Sequence, residues 1–246
     1  MSCTINASVT STGLIHSADA TGNLELQGNG TTGLTVNNSG KVVIANTALS
    51  TASAGTLEYD GGELYFTPLG TQRGLVPGMQ YYRLNGSLAG SNVNTAQSVL
   101  GVGVTLSANT VYYFDGVYAL SKTSGTTSHT TGIGFGGTAT VNNIAYWAQA
   151  GTVNTTSFVD LSNGQSFQYY IQTVSNTVIN GAQAAATTIR QYRVFGTVSV
   201  NAGGTFIPQY TLSAAPGGAY TTAAGSYFMI YPIGSSGSNT NIGTWA

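Results

Sequence analysis

Charge is what this sequence has least of. Six Lys/Arg and seven Asp/Glu amount to 5% of 246 residues, where an ordinary soluble chain carries about 25%. Six scattered cations and a net charge of -1 offer no footprint for phosphate, so no nucleic-acid partner is expected. Charge-driven disorder and a charge-laced coiled coil are excluded on the same ground. The single cysteine, Cys3, can build neither a disulfide scaffold nor a thiolate metal cluster. Apolar runs fall far short of the roughly 20 residues that span a bilayer, and no charged n-region with an apolar h-region follows Met1. Neither a membrane partner nor a leader is expected. Helix signals are nearly missing too, since the Ala-rich stretch at Ala184, Ala185 and Ala186 is too short for a free-standing helix.

What remains is a neutral chain of β-branched, aromatic and small polar residues punctuated by 34 glycines. The fold class it predicts is all-β, in two parts. Residues 1–78 show pairs of apolar residues two apart: Leu24/Leu26, Leu34/Val36, Val42/Ile44, Leu57/Tyr59 and Leu64/Phe66. Turn clusters separate them, such as Gly28-Asn29-Gly30, Asn37-Asn38-Ser39-Gly40 and Asp60-Gly61-Gly62. Each short strand has one apolar face of two side chains. Such a thin sheet cannot enclose a core of its own. These ten residues are therefore expected to meet their counterparts from other chains on an axis, with threefold symmetry favoured; a small sheet docked on the second domain is the alternative.

One hairpin can be placed in register. With Gly61-Gly62 as a two-residue turn, Tyr59 pairs Leu64 and Leu57 pairs Phe66, which gathers all four apolar side chains on one face. Glu58, Asp60, Glu63 and Tyr65 then take the other. Those carboxylates could hold a hard cation such as calcium. A solvated face partly neutralised by Arg73 is the preferred reading, because no full ligand loop is present. Leu75-Val76-Pro77-Gly78 is a turn or linker, and the composition shifts after it.

Residues 79–246 carry 13 of the 15 tyrosines, both tryptophans and two acids, Asp115 and Asp160. Strands are expected at 80–84, 98–106, 110–120, 130–135, 139–148, 157–161, 166–174, 187–200, 205–212 and 226–233. That density of strands, with turns such as Ser124-Gly125, Asn163-Gly164 and Ala202-Gly203-Gly204, predicts a two-sheet, jelly-roll-like sandwich. Alternation sets Val111/Tyr113 against Tyr112/Phe114, and Tyr192/Val194 against Arg193/Phe195. Where both faces are apolar, the second needs cover from the other sheet's flank or a neighbouring subunit.

Several runs look like the repetitive segments of tailed-bacteriophage fibres. They are Ala18-Asp19-Ala20-Thr21-Gly22-Asn23-Leu24-Glu25-Leu26-Gln27, Gly30-Thr31-Thr32-Gly33-Leu34-Thr35-Val36, the stretch 55–68, and Gln72-Arg73-Gly74-Leu75-Val76-Pro77. The later block is similar to a β-sandwich of phage fibres and other virion-surface proteins. That likeness runs through Leu106-Ser107-Ala108-Asn109-Thr110-Val111-Tyr112, residues 125–130 and 202–209, Ala214-Ala215-Pro216-Gly217-Gly218 and Ala224-Gly225-Ser226-Tyr227-Phe228. The resemblance implies a trimeric structural protein on the surface of a phage particle, in contact with other virion proteins. No heptad stalk and no separate tail-anchoring domain is recognisable, so a short tail fibre and a capsid decoration protein are both open placements.

Signs of chemistry are few. No Gly-x-Ser-x-Gly elbow or Ser-x-x-Lys occurs. The histidines, His16 and His129, have no acid beside them, and Cys3 has no cationic neighbour. Two isolated histidines and one cysteine give no metal spacing. Gly132-Ile133-Gly134-Phe135-Gly136-Gly137 lacks the helix and acid of a dinucleotide loop and reads as a glycine-rich strand. A tailspike-type glycosidase needs two carboxyl groups roughly 5–9.5 Å apart, and only Asp115 and Asp160 are on offer in the second part. No enzyme activity, cofactor or metal is expected. Tyr81/Tyr82, Tyr112/Tyr113, Tyr146/Trp147, Tyr169/Tyr170 and Trp245 could stack on sugars of a host-surface glycan, although each doublet on a strand must place one ring inward. Trp245 is the hardest of them to seat in a core.

Overall fold

The computed structural model describes residues 22–28, 30–153, 167–237 and 239–245. Cys3, His16, residues 18–21, Asn29, Asp160, the strand expected at 157–161 and the Asn163-Gly164 turn lie outside them. The described chain is all-β, without a helix among the described residues. It divides into two compact units between Val76 and Pro77, inside the Leu75-Val76-Pro77-Gly78 linker.

The first unit holds two small antiparallel sheets. One joins β1 (Leu24–Gly28), β2 (Thr31–Val36) and β3 (Val42–Ile44). The other joins β4 (Leu57–Tyr59), β5 (Leu64–Phe66) and β6 (Gly74–Leu75). In the second sheet Leu57 pairs Phe66 and Tyr59 pairs Leu64, the register the apolar pattern dictates. Gly61 has φ 95° and packs so closely on Asn46 that a Cβ would come within 2.6 Å of the Asn46 Nδ2. Only glycine fits that turn.

The far face of this hairpin departs from expectation. Glu58 does meet Arg73, whose Nη2 donates to its Oε2 at 2.6 Å. Glu63, expected in solvent, is buried, and the Tyr65 hydroxyl donates to its Oε2 at 3.1 Å. Asp60 folds back to accept from the backbone N–H groups of Gly62 and Glu63, which removes it from the face and relieves the like-charge pair. Hydrogen bonds from Ser50 hold Glu58 below the usual carboxylate range despite the opposing effect of burial, with Arg73 adding to the shift.

The second unit contains β7 (Gln80–Arg83), β8 (Leu88–Ala89), β9 (Gln97–Ser98), β10 (Val104–Leu106), β11 (Thr110–Lys122), β12 (His129–Gly136), β13 (Thr140–Val153), β14 (Phe167–Ile171), β15 (Thr177–Gln183), β16 (Thr188–Ala202), β17 (Gly204–Leu212), β18 (Thr221–Thr222) and β19 (Tyr227–Ser235). The strand expected over 98–106 is split, because the chain turns at Gly101 (φ 73°), whose N–H is held by Ser98 Oγ. Strand β15 was hidden by Asn180-Gly181, a pair that reads as a turn.

All ladders of this unit are antiparallel. The larger sheet runs β14-β13-β16-β11-β19-β7, with β18 and β8 continuing the β19 side of β11. The smaller runs β10-β17-β12-β15, with β9 also on β17. Taking β7, β10, β11, β12, β15, β16, β17 and β19 as first to eighth, the sheets read first-eighth-third-sixth and second-seventh-fourth-fifth. That is the jelly-roll order, two Greek keys wound into a sandwich. The hairpin β13–β14 widens the larger sheet beyond β16.

Inward-facing aromatics fill the space between the sheets. Phe135 stacks on Phe206 at 4.4 Å and meets Phe114 edge-on at 5.1 Å, with Tyr146 and Phe228 around them. The alternation is as expected: Tyr112, Phe114, Tyr192 and Val194 are buried between the sheets, while Tyr113, Arg193 and Phe195 take the outer face. The glycine-rich run lies in β12, where a Cβ on Gly134 would strike the Val174 carbonyl at 2.7 Å. It is a close-approach strand.

Candidate functional site

In the first unit, Leu24 pairs Val36, which pairs Val42; Leu26 pairs Leu34, which pairs Ile44. Directly paired residues share a face, so these six side chains form two rows on one side of the sheet. Glu25, Gln27 and Thr32 form a hydrogen-bonded cluster on the other. In the single chain Leu26 is 53% and Val42 64% exposed, and Leu24 is exposed as well. In the companion sheet Leu57, Tyr59, Leu64 and Phe66 share a face by the same register, with Leu57 and Phe66 exposed. The strand pairing thus brings the ten apolar residues together as two apolar patches.

The second unit carries a different surface on the outer side of its larger sheet. Strand pairing aligns Tyr170, Trp147, Phe195, Asp115, Met229 and Tyr81 in one row across six strands. The adjacent row reads Gln149, Arg193, Val117, Tyr227 and Arg83. Trp147 and Tyr170 are 44% and 55% exposed and lie 5.7 Å apart, centre to centre. Tyr81 stacks on Tyr227 at 5.4 Å. Midway, Arg193 Nη2 donates to Asp115 Oδ2 at 2.8 Å while its guanidinium sits 5.0 Å above the Phe195 ring. Asp115 is nearly buried, and its Oδ1 has no hydrogen-bond partner. The Asp115 hydrogen bond and charge hold the Arg193 guanidinium above its ordinary value.

Residues weighed for catalysis find structural roles. His129 is buried, with Nδ1 at 2.7 Å from the Thr127 carbonyl and Nε2 at 2.8 Å from the Tyr220 hydroxyl. Burial, with Arg190 and Lys122 nearby, keeps its pKa below the usual 6.5, although the Thr127 bond opposes this. The folded state therefore takes up this proton at lower pH than the unfolded chain. Its contribution to stability is present above about pH 6.5 and is lost as pH falls toward the folded pKa. The melting temperature should drop between about pH 7 and about pH 5, and less steeply in His129→Gln; identical slopes would contradict the assignment. Asp115 is the one carboxylate among the described residues of this unit and is engaged by Arg193.

In the doublets, Tyr112 and Tyr146 are buried and Tyr169 packs against the core, as strand alternation requires. Tyr81 and Tyr82 are both exposed, because β7 is an edge strand. Trp245 is 79% exposed. A cleft of about 290 Å³ opens beside Tyr82, floored by Leu100, Phe228 and Ile230. Besides the hydroxyls of Tyr81 and Tyr82 its polar side chains are Gln80 and Thr105, with no charged group to orient a small ligand. Among the described residues no group of three or more His, Cys, Asp or Glu is placed to hold a metal ion.

No family model matches the chain, and no curated protein matches it in sequence. Among solved structures, a chain of "Structure of infectious bursal disease virus Gx strain" aligns over 78% of this chain at 11% identity, with a TM-score of 0.15. The matched region spans 47% of that chain. A superposition this loose carries no argument about fold or function.

Proposed function

We propose that the protein is a structural component of a bacteriophage particle, a trimeric surface fibre or spike whose first unit assembles the trimer and whose jelly roll is displayed. The observation that carries this reading is the apolar face of the first sheet, six side chains in two rows with nothing of their own sheet to cover them. A three-stranded sheet with one apolar face gains stability only by burying that face. Closed rotational symmetry lets identical faces cover one another without leaving an end open. Three slender sheets around an axis bury all three faces at once. The fibre-like runs of residues 18–27, 30–36, 55–68 and 72–77 and the jelly-roll order of the second unit, an architecture common in capsid and lectin domains, support the setting. The protein acts mechanically, with no chemical step.

Low charge suits that task, because few groups must be desolvated when chain packs on chain. The test is to label phage particles with gold-tagged antibody raised against the purified chain and view them by electron microscopy. Label on the tail is expected; label confined to the capsid would make this a decoration protein, and unlabelled particles would overturn the virion assignment.

A further inference from the structure

The outer face of the larger sheet calls for a partner that the assembly face does not supply. Residues 77–246 contain four cations, Arg83, Lys122, Arg190 and Arg193. Lys122 and Arg190 are buried. Arg83 and Arg193, the two that reach solvent, fall in one row of this face, beside the exposed rings of Trp147, Tyr170 and Tyr81. Among the described residues one acid of this unit, Asp115, stands against them, already engaged by Arg193. The described residues of the face therefore leave one net positive charge, on Arg83, along an aromatic strip six strands wide, about 24 Å at the spacing of paired strands.

We infer that this strip is a binding site for an acidic glycan, a saccharide chain bearing carboxylate groups. Sugar rings present C–H faces that pack on exposed aromatic rings, and hydroxyls at their rims that need donors and acceptors. Trp147, Tyr170 and Tyr81 supply the rings. Gln149 and the half-exposed Arg193 supply hydrogen bonds beside them. Arg83, with no carboxylate partner among the described residues, is the group that meets an acidic substituent. A second copy of this chain is a poorer occupant. Laid on the strip with twofold symmetry it would set the same excess charge against itself. The proposal does not depend on the trimer or on the virion setting, since every residue invoked lies in the second unit.

Calorimetric titration of the full-length protein with oligogalacturonate, a hyaluronan hexasaccharide and a sialylated trisaccharide, beside neutral maltohexaose, tests it. Binding to at least one acidic probe is expected, at least tenfold tighter than to maltohexaose. Trp147→Ala should weaken it tenfold or more. Arg83→Gln should remove the preference for the acidic probe while leaving the melting temperature unchanged, since Arg83 is exposed and its side-chain bond runs to Asn85. No binding to any acidic probe at millimolar concentration would overturn the site, as would equal binding of acidic and neutral chains. A fall in oligomer size in Trp147→Ala would show instead that the strip is a subunit contact.

Discussion

Leu26→Asp with Leu34→Asp is expected to leave the chain monomeric at micromolar concentration, with its jelly roll intact. These two leucines pair directly across β1 and β2 and form one row of the proposed assembly face with Ile44. Burial of a leucine contributes about 2 kcal/mol, so losing two per chain from three chains removes roughly 10 kcal/mol before any cost of burying aspartate is added. The two association steps of a trimer represent ~16 kcal/mol in all at micromolar concentration, so a trimer held by less than roughly 26 kcal/mol falls apart into monomers. The second unit has its own aromatic core, so near-ultraviolet circular dichroism should keep its folded signature. A double variant that stayed trimeric would move the contact elsewhere.

The second large effect concerns Lys122. Its ammonium is buried at the end of β11 and donates to the carbonyls of Ser124, Gly125, Ala185 and Ala186 at 3.2, 2.6, 2.6 and 3.3 Å. One side chain thereby ties the loop after β11 to the loop before β16, closing one end of the sandwich. Lys122→Met keeps the apolar stem and removes all the donors. Unmatched buried carbonyls cost about 1–3 kcal/mol each, and relaxation recovers part of that. A loss of about 4 kcal/mol is expected, which lowers the melting temperature by roughly 8–16 °C in a domain of this size. Lys122→Arg should recover part of it. A change of under about 2 °C in Lys122→Met would mean that water already serves those carbonyls.

The parts of this fold written locally could be read locally. The register of β4 and β5 follows from four apolar residues two apart around Gly61-Gly62, because a one-residue slip would turn all four to the wrong face. The jelly-roll order is not local. It depends on which distant strands pair, such as β7 with β19, and no periodicity within Gln80–Arg83 names that partner. Lys122 shows the same limit from another side. The Ala184-Ala185-Ala186 stretch looked only like a failed helix, yet two of its carbonyls are a ligand set for a lysine 63 and 64 residues away.

The two candidate surfaces differ in the same way. The proposed assembly face repeats within 20 residues, so its pattern is visible in the chain. The aromatic strip is not, since Trp147, Phe195, Asp115 and Met229 align only once the three registers that join their four strands are set. The one hint was alternation with both faces apolar, in Tyr112 and Phe114 against Tyr113, and in Val194 against Phe195. A carboxylate beside a turn reads as solvated, whereas Glu63 is buried, with its N–H donating to Asp60 and its carboxylate accepting from the Tyr65 hydroxyl.

Sedimentation equilibrium of the full-length native chain at micromolar concentration tests the central claim most directly. The account predicts a single species of three times the 25.1 kDa chain mass. A well-folded monomer of 25.1 kDa would contradict it.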